Sequence, residues 1–303
     1  MRAFVVMLVL GAVMVSSRAD AGTLVQFRTV LGDIEVELLD ADKPVTVANF
    51  LRYVQTGAYQ TNNMFFHRSL PGFVIQGGGF GVRTPTASKP FVSAVAVPSF
   101  GNITNEFLSG RKVSNTFGTL AMAKVDKDPN SASSQWFFNL GNNSANLDAQ
   151  NGGFTVFGNV VRGTNLLAFF NTLGKDIPPK PWSFYGVVDL RAYYLNTTDP
   201  AVWQFATLFS DLPVSYLGTS YPGYPDLLYV DITALRVRVT ALKDGSREIR
   251  WSSVKDRPNV VEYTTTFPPS WQTLSRLTGT GFDQVATDSA SGPRRFYRVR
   301  VEY

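Results

Sequence analysis

The chain predicts a mainly β fold: a closed or strongly curved sheet with few helices, followed by a small β-sandwich. Three observations carry this. The first folded stretch alternates apolar and polar residues, the middle is a series of short aromatic runs punctuated by Gly, Pro and Asn, and the C-terminal quarter switches to further strand patterns. At 303 residues, 44% hydrophobic and 17% charged, the chain has length for two folded units and too much apolar surface to stay disordered. With no Cys and a single His, disulfide stapling, thiolate chemistry, His-cluster metal sites and a Ser-His-Asp triad are disfavoured. The net charge of +5 (28 minus 23) is spread without a Lys/Arg run, so nucleic acid is not expected as a partner.

The elements follow in order. Arg2, the apolar run Ala3 to Val15 and the small-x-small triplet Ala19-Asp20-Ala21 have the layout of a signal peptide, cleaved after Ala21. Export to the periplasm or the medium follows, with no integral membrane association after cleavage. Thr23 to Leu39 reads as a hairpin turning at Gly32-Asp33. Pro44 to Val54 reads as a helix, with Pro44 in its first turn and Gly57 past its end. Phe65 to Phe80, Gly118 to Lys124, Gln135 to Leu140 and Phe154 to Val161 supply strands. A second helix spans Gly163 to Gly174, with Thr164 or Asn165 as N-cap and Gly174 as terminator. Lys175 to Pro225 shows no sustained period and reads as an insert with one helix near Ala201 to Phe209, before a last strand at Asp226 to Val237. Strand patterns at Ile249 to Trp251, Val260 to Thr264, Trp271 to Leu274 and Arg295 to Val301 make residues 239–303 the sandwich.

The chemistry concentrates in Phe66 to Phe80, where Arg68, Phe73 and Gln76 share a stretch that ends in glycines. Gly118 to Lys124 adds apolar wall, and Ser134 to Leu140 adds a second amide. Gly77-Gly78-Gly79 lacks the following Lys-Ser/Thr of a phosphate loop, and Asp126, Asp128 and Asn130 lack the Gly and Glu of a calcium loop. His67 reads as a structural hydrogen-bonding residue.

These stretches resemble the cyclophilin-type peptidyl-prolyl cis-trans isomerases. FHRSLPGFVIQGG is similar to the family's FHR-x-x-PGF-x-x-QGG block, GTLAMAK to its G-x-x-x-MA segment, SQWFFNL to its SQFFI segment, and LD followed by FTVFGNVVRG to its closing strand and turn. The likeness runs from Thr23 to Leu173 and resumes near Asp226 to Leu235. It implies an eight-stranded β-barrel capped by two helices over residues 22–238, with the insert at about 175–225. It also implies an enzyme that needs no cofactor or metal, acts on proline-containing polypeptides and works as a monomer.

By the same resemblance Arg68 is catalytic and Gln76 orients it. Phe73, Val74, Met122, Phe137 and Leu147 form the proline pocket, and Gln135 with the backbone at Ala123 and Lys124 holds the substrate chain. Phe154 stands where many members have His, and Asn146 where cyclosporin-sensitive members have Trp, which implies weak cyclosporin binding. The C-terminal module loosely resembles fibronectin type III-like modules. A proline-segment binding module with little turnover, or an envelope scaffold, is the competing expectation.

Overall fold

The computed structural model describes residues 22–83, 94–176, 185–191, 209–215, 223–235, 237–253, 258–280, 282–289 and 294–302. The expected leader, and residues 201–208 of the expected helix in the insert, lie outside them. Strands β1 (Leu24–Thr29) and β2 (Gly32–Leu38) form the opening hairpin, and helix α1 (Pro44–Gln55) follows. Then come β3 (Arg68–Leu70), β4 (Val74–Gly77), β5 (Phe80–Val82), β6 (Ala94–Ala96), β7 (Thr119–Met122) and β8 (Trp136–Asn139). Short helix α2 (Ser144–Leu147), β9 (Val156–Arg162) and α3 (Thr164–Phe170) complete this part. The insert holds β10 (Lys175–Asp176), β11 (Tyr185–Val188) and β12 (Leu212–Ser215), and β13 (Val230–Leu235) returns the chain to the main sheet.

The main sheet has eight strands in the order β13-β1-β2-β9-β7-β8-β4-β3. Its two edges meet where Phe66 N donates to Leu228 O at 3.0 Å and Val230 N donates to Met64 O at 2.9 Å. Closure in this way leaves few unpaired backbone groups on the sheet margins. The interior is filled by rings: Phe27 meets Phe50, Trp136 and Phe138 at centroid distances of 6.0, 4.9 and 5.0 Å. Each such pair adds about 0.5–1.5 kcal/mol beyond simple burial.

Several local expectations shift. The hairpin turns at Val30-Leu31 rather than Gly32-Asp33, because Thr29 pairs with Gly32 and the Thr29 hydroxyl bonds both Leu31 N and Gly32 O. Besides α1 and α3, the described residues hold a further helix, the single turn α2. The N-cap of α3 is Gly163 at φ 89°, where a Cβ would run into the Asp33 carbonyl, and the helix ends at Asn171, before Gly174. For α1 the cap comes from far away in sequence: the Glu106 carboxylate accepts Val45 N at 3.1 Å and Thr46 N at 2.7 Å. The final barrel strand is shorter than expected, since Tyr224–Asp226 forms a 3₁₀ turn ahead of it.

The C-terminal part has two three-stranded sheets. One orders β14 (Val237–Ala241), β15 (Arg247–Ser252) and β18 (Asp283–Asp288); the other orders β17 (Gln272–Thr278), β16 (Pro258–Thr264) and β19 (Phe296–Val301). Ile249 and Trp251 from the first sheet pack with Val261 and Val299 from the second, as a two-layer sandwich requires. Its first strand starts at Val237, inside the stretch assigned to the barrel.

Candidate active site

The site lies on the outer face of the barrel sheet, and strand register builds it. Arg68 on β3 pairs with Gln76 on β4, Gln76 with Phe137 on β8, and Phe137 with Ala121 on β7. Directly paired residues share a sheet face, so a cation, an amide and an aromatic ring stand in one row. Their neighbours Ile75, Phe138 and Leu120 point inward to the barrel core. A second apolar cluster, including Val74, Ala121, Phe137, Leu147 and Val156, floors the outer face.

Above this floor is a cleft of about 530 Å³, lined by Arg68, Phe73, Val74, Gln76, Ala123, Lys124, Gln135, Phe137, Leu147 and Phe154. The structure therefore brings together every expected site residue except Met122. Met122 pairs with Trp136 on the inward face and is 1% exposed in the barrel core. Strand alternation is the reason: the outward residues are Ala121 on β7 and Ala123 just past its end, so the pocket wall there is alanine.

Gln76 also differs from expectation. Its Nε2 donates to Gln135 Oε1 at 2.7 Å, so it orients the second amide, and no hydrogen bond joins it to Arg68 among the described residues. Arg68 is half-buried, and no carboxylate among the described residues pairs with it. It is one of the residues that line the cleft. Lys124 is drawn away from solvent: its Nζ donates to Asn151 O at 2.6 Å and Gly153 O at 2.7 Å, and stands 4.7 Å from the centre of the Phe154 ring. Burial lowers its pKa to about 8, against a smaller opposing pull from Asp128.

Residues that sequence reasoning left out also border the cleft, among them His67, Phe80, Asp126, Gln150 and Asn151. His67 is buried, its Nδ1 has no hydrogen-bond partner, and burial with the adjacent Arg68 charge lowers its pKa to about 3. It is a neutral wall residue at ordinary pH, with a side-chain hydrogen bond to Gln135 that partly opposes the lowering.

Behind the cleft runs a buried amide network. Asn143 Nδ2 donates to Phe73 O and to Asn139 Oδ1, both at 2.7 Å. Asn139 Nδ2 donates to Asn115 Oδ1 at 3.1 Å and Thr119 Oγ1 at 2.9 Å, and Asn115 Nδ2 donates to Phe154 O and Asp148 Oδ1 at 2.9 Å. The two aromatic walls Phe73 and Phe154 thus hang from one set of amides. No sequence spacing announces it, because its members are drawn together only by the folded sheet.

Residues 24–183 match the family model for cyclophilin type peptidyl-prolyl cis-trans isomerases. The chain belongs to the cyclophilin family. It is 41% identical to a peptidyl-prolyl cis-trans isomerase of Acinetobacter baylyi over 183 residues, covering 60% of this chain and 86% of that one. It is 39% identical to peptidyl-prolyl cis-trans isomerase B of Escherichia coli over 150 residues, covering 48% of this chain and 81% of that one. A crystal structure of a cyclophilin type isomerase from Cryptosporidium parvum aligns with 26% identity and a TM-score of 0.39, over 50% of this chain and 87% of that one. This cyclophilin is a peptidyl-prolyl cis-trans isomerase, and its substrates are proline-containing polypeptides. Among its described residues no group of His, Asp and Glu could hold a metal ion, and no helix is long and apolar enough to cross a membrane.

Proposed function

We propose that Arg68 lowers the barrier to X-Pro rotation in this cleft, and that the substrates are exported proteins whose folding waits on proline. Rotation about an amide must break its resonance, at a cost of roughly 18–20 kcal/mol. In the twisted state the prolyl nitrogen becomes pyramidal and regains a lone pair. A guanidinium donating to that nitrogen stabilises the twisted state more than the planar one, which is the differential binding that catalysis needs. Arg suits this role because it stays charged and presents fixed donors.

The observation that carries the reading is the row Arg68, Gln76, Phe137: a half-buried cation with no carboxylate partner among the described residues, beside an apolar floor. No proton needs to move, which agrees with a His67 that stays neutral. The Gln76–Gln135 pair offers amide groups to the backbone of a bound peptide. A chromogenic X-Pro peptide assay on the whole mature chain tests the mechanism. Arg68→Ala should reduce kcat/KM by about a hundred- to a thousandfold, and a variant keeping more than half the activity refutes it. No rate above background in the unmodified protein would favour a proline-segment binding module instead.

For the exported role the support is the leader-like layout of Met1 to Ala21. Uncatalysed X-Pro isomerisation takes tens to hundreds of seconds, long enough to delay folding outside the cytoplasm. The mature protein is proposed to be a monomer, periplasmic or secreted. N-terminal sequencing of the exported protein should begin at Gly22, and an intact Met1 in a cytoplasmic fraction would overturn this part.

A further inference from the structure

The insert between α3 and β13 packs against the back of one cleft wall. Val188, Leu190, Phe209, Leu212 and Val214 from the insert bury together with Phe65, Val82 and Ala94, forming a core separate from the barrel interior. At its centre Phe209 is fully buried, and its carbonyl accepts Leu190 N at 3.0 Å. Its ring meets Phe80 edge-on with centroids 5.5 Å apart, and Phe65 at 5.8 Å. On its other side Phe80 meets His67 edge-on at 5.1 Å. Phe80 and His67 both border the cleft beside Arg68 and Gln135. Two residues after Phe209, the Asp211 carbonyl accepts Ser69 N at 2.7 Å, so the outer edge of β3 is bonded by the insert at the residue after Arg68.

Phe80 needs such support. It belongs to β5, a three-residue strand that pairs with β6 in a separate two-stranded sheet and is tied on its other edge by the isolated Met64–Gly81 bridge and a long bond from Phe65 N to Phe80 O, 3.4 Å, beside the bond from Val82 N to Asn62 O. A two-stranded ribbon is marginal by itself. A half-exposed ring on it has freedom to swing unless something solid fills the space behind it.

We infer that Phe209 is a positioning residue for the isomerase: it fixes Phe80, and through it His67, as the cleft wall on the Arg68 side. The inference rests on the reading that Arg68 works in this cleft. It makes the insert part of the catalytic architecture, although no described residue of the insert lines the cleft.

The test uses the full mature chain and two readouts. One is kcat/KM in the peptide assay. The other is the imidazole proton signal of His67, unambiguous because the chain has one His, and sensitive to the orientation of the Phe80 ring packed on it. Phe209→Ala should lower kcat/KM by about tenfold and shift the His67 signal. Phe209→Leu, which keeps apolar volume without a ring edge, should give a smaller change in the same direction. Val214→Ala opens the same apolar core from the side bridged to Leu227 and should leave both readouts near those of the unmodified protein.

Unchanged activity and an unmoved His67 signal in folded Phe209→Ala would overturn the inference, as would equal changes in Val214→Ala. If Phe209→Ala does not fold, Phe209→Leu decides by the same two readouts. Full activity in Arg68→Ala would remove the underlying mechanism, while the His67 signal would still report whether Phe209 holds the wall.

Discussion

Asn139 offers a test of whether the amide network, rather than apolar packing alone, holds the cleft. Its side chain is completely buried and makes three hydrogen bonds, donating to Asn115 Oδ1 and Thr119 Oγ1 and accepting from Asn143 Nδ2. Asn139→Ala orphans these partners unequally. Asn143 keeps its bond to Phe73 O, and Thr119 keeps its own donation to Thr116 O, whereas Asn115 Oδ1 loses the one partner described for it. A buried group left unsatisfied costs about 1–3 kcal/mol, so the sum, with partial relief for two of the three, is about 2–4 kcal/mol. For a unit of this size that lowers Tm by roughly 4–16 °C. Calorimetry of the whole chain should show the barrel transition falling while the sandwich transition stays in place. Asn139→Leu separates polar from volume effects: it refills the space yet should recover little, because the lost term is hydrogen bonding. Since the network holds the carbonyls of Phe73 and Phe154, kcat/KM should fall in both variants. A barrel stability within about 0.5 kcal/mol of the unmodified protein would refute the assignment.

Three further outcomes follow from the geometry. The folded pKa of His67, about 3, lies below its ordinary value of 6.5, so between those values the unfolded chain binds a proton that the folded chain refuses; stability rises with pH across this window and is lost as pH falls through it. Urea unfolding of the unmodified protein should show this extra slope and His67→Gln should lack it; parallel curves would contradict the burial of a neutral imidazole. Lys124→Met removes the ties to Asn151 O and Gly153 O together with the cation over Phe154, and should lower kcat/KM several-fold. As the Lys124 ammonium loses its proton above about pH 8, the unmodified enzyme should show an inflection there that is absent from Lys124→Met. Exposed Asn146 at the start of the Leu147-Asp148 pair should leave cyclosporin a weak ligand, and a nanomolar inhibition constant in the peptide assay would disprove that.

What was legible in the sequence was mostly local. Alternation around Leu24 to Leu38 and the helical spacing of Val47, Phe50 and Leu51 mark elements whose pattern is set by which face is buried. The site blocks were legible because Arg68, Phe73 and Gln76 lie within nine positions on two adjoining strands and the turn between them, where the pairing is close to compulsory. Met122 failed for an equally local reason: the residue type suited an apolar wall, but its parity on β7 turns it inward with Trp136. Gln76 failed because its actual partner, Gln135, is 59 positions away and reaches it only through the β4–β8 pairing. The insert was opaque because its strands β11 and β12 are far apart in the chain and carry no long alternation. Likewise no local pattern sets Asn115, Asn139 and Asn143 apart until the fold places them side by side.

The alternation that turns Met122 inward also couples the face under the cleft to the barrel core. Each strand under the cleft offers one residue to the site and its neighbour to the aromatic interior: Gln76 beside Ile75, Phe137 between Trp136 and Phe138, Ala121 between Leu120 and Met122. A site side chain therefore cannot tilt without disturbing a packed ring, and close-packed interiors resist such shifts. The glycines after Gln76 belong to this coupling. A Cβ on Gly77 would lie 2.6 Å from the Trp136 ring, and Gly78 adopts φ 79° against Trp136 and the Ser134 carbonyl. They are bare because the indole lies flat against their backbone, which accounts for a Gly-Gly pair here without any phosphate to cradle. Trp136 in turn meets Phe66, the residue ahead of His67 and Arg68, with ring centroids 5.8 Å apart. One buried indole thus sets the backbone beneath Gln76 and the approach to Arg68 together, so the amide and the cation keep their spacing through the core and the β3–β4 pairing rather than through a bond between their side chains.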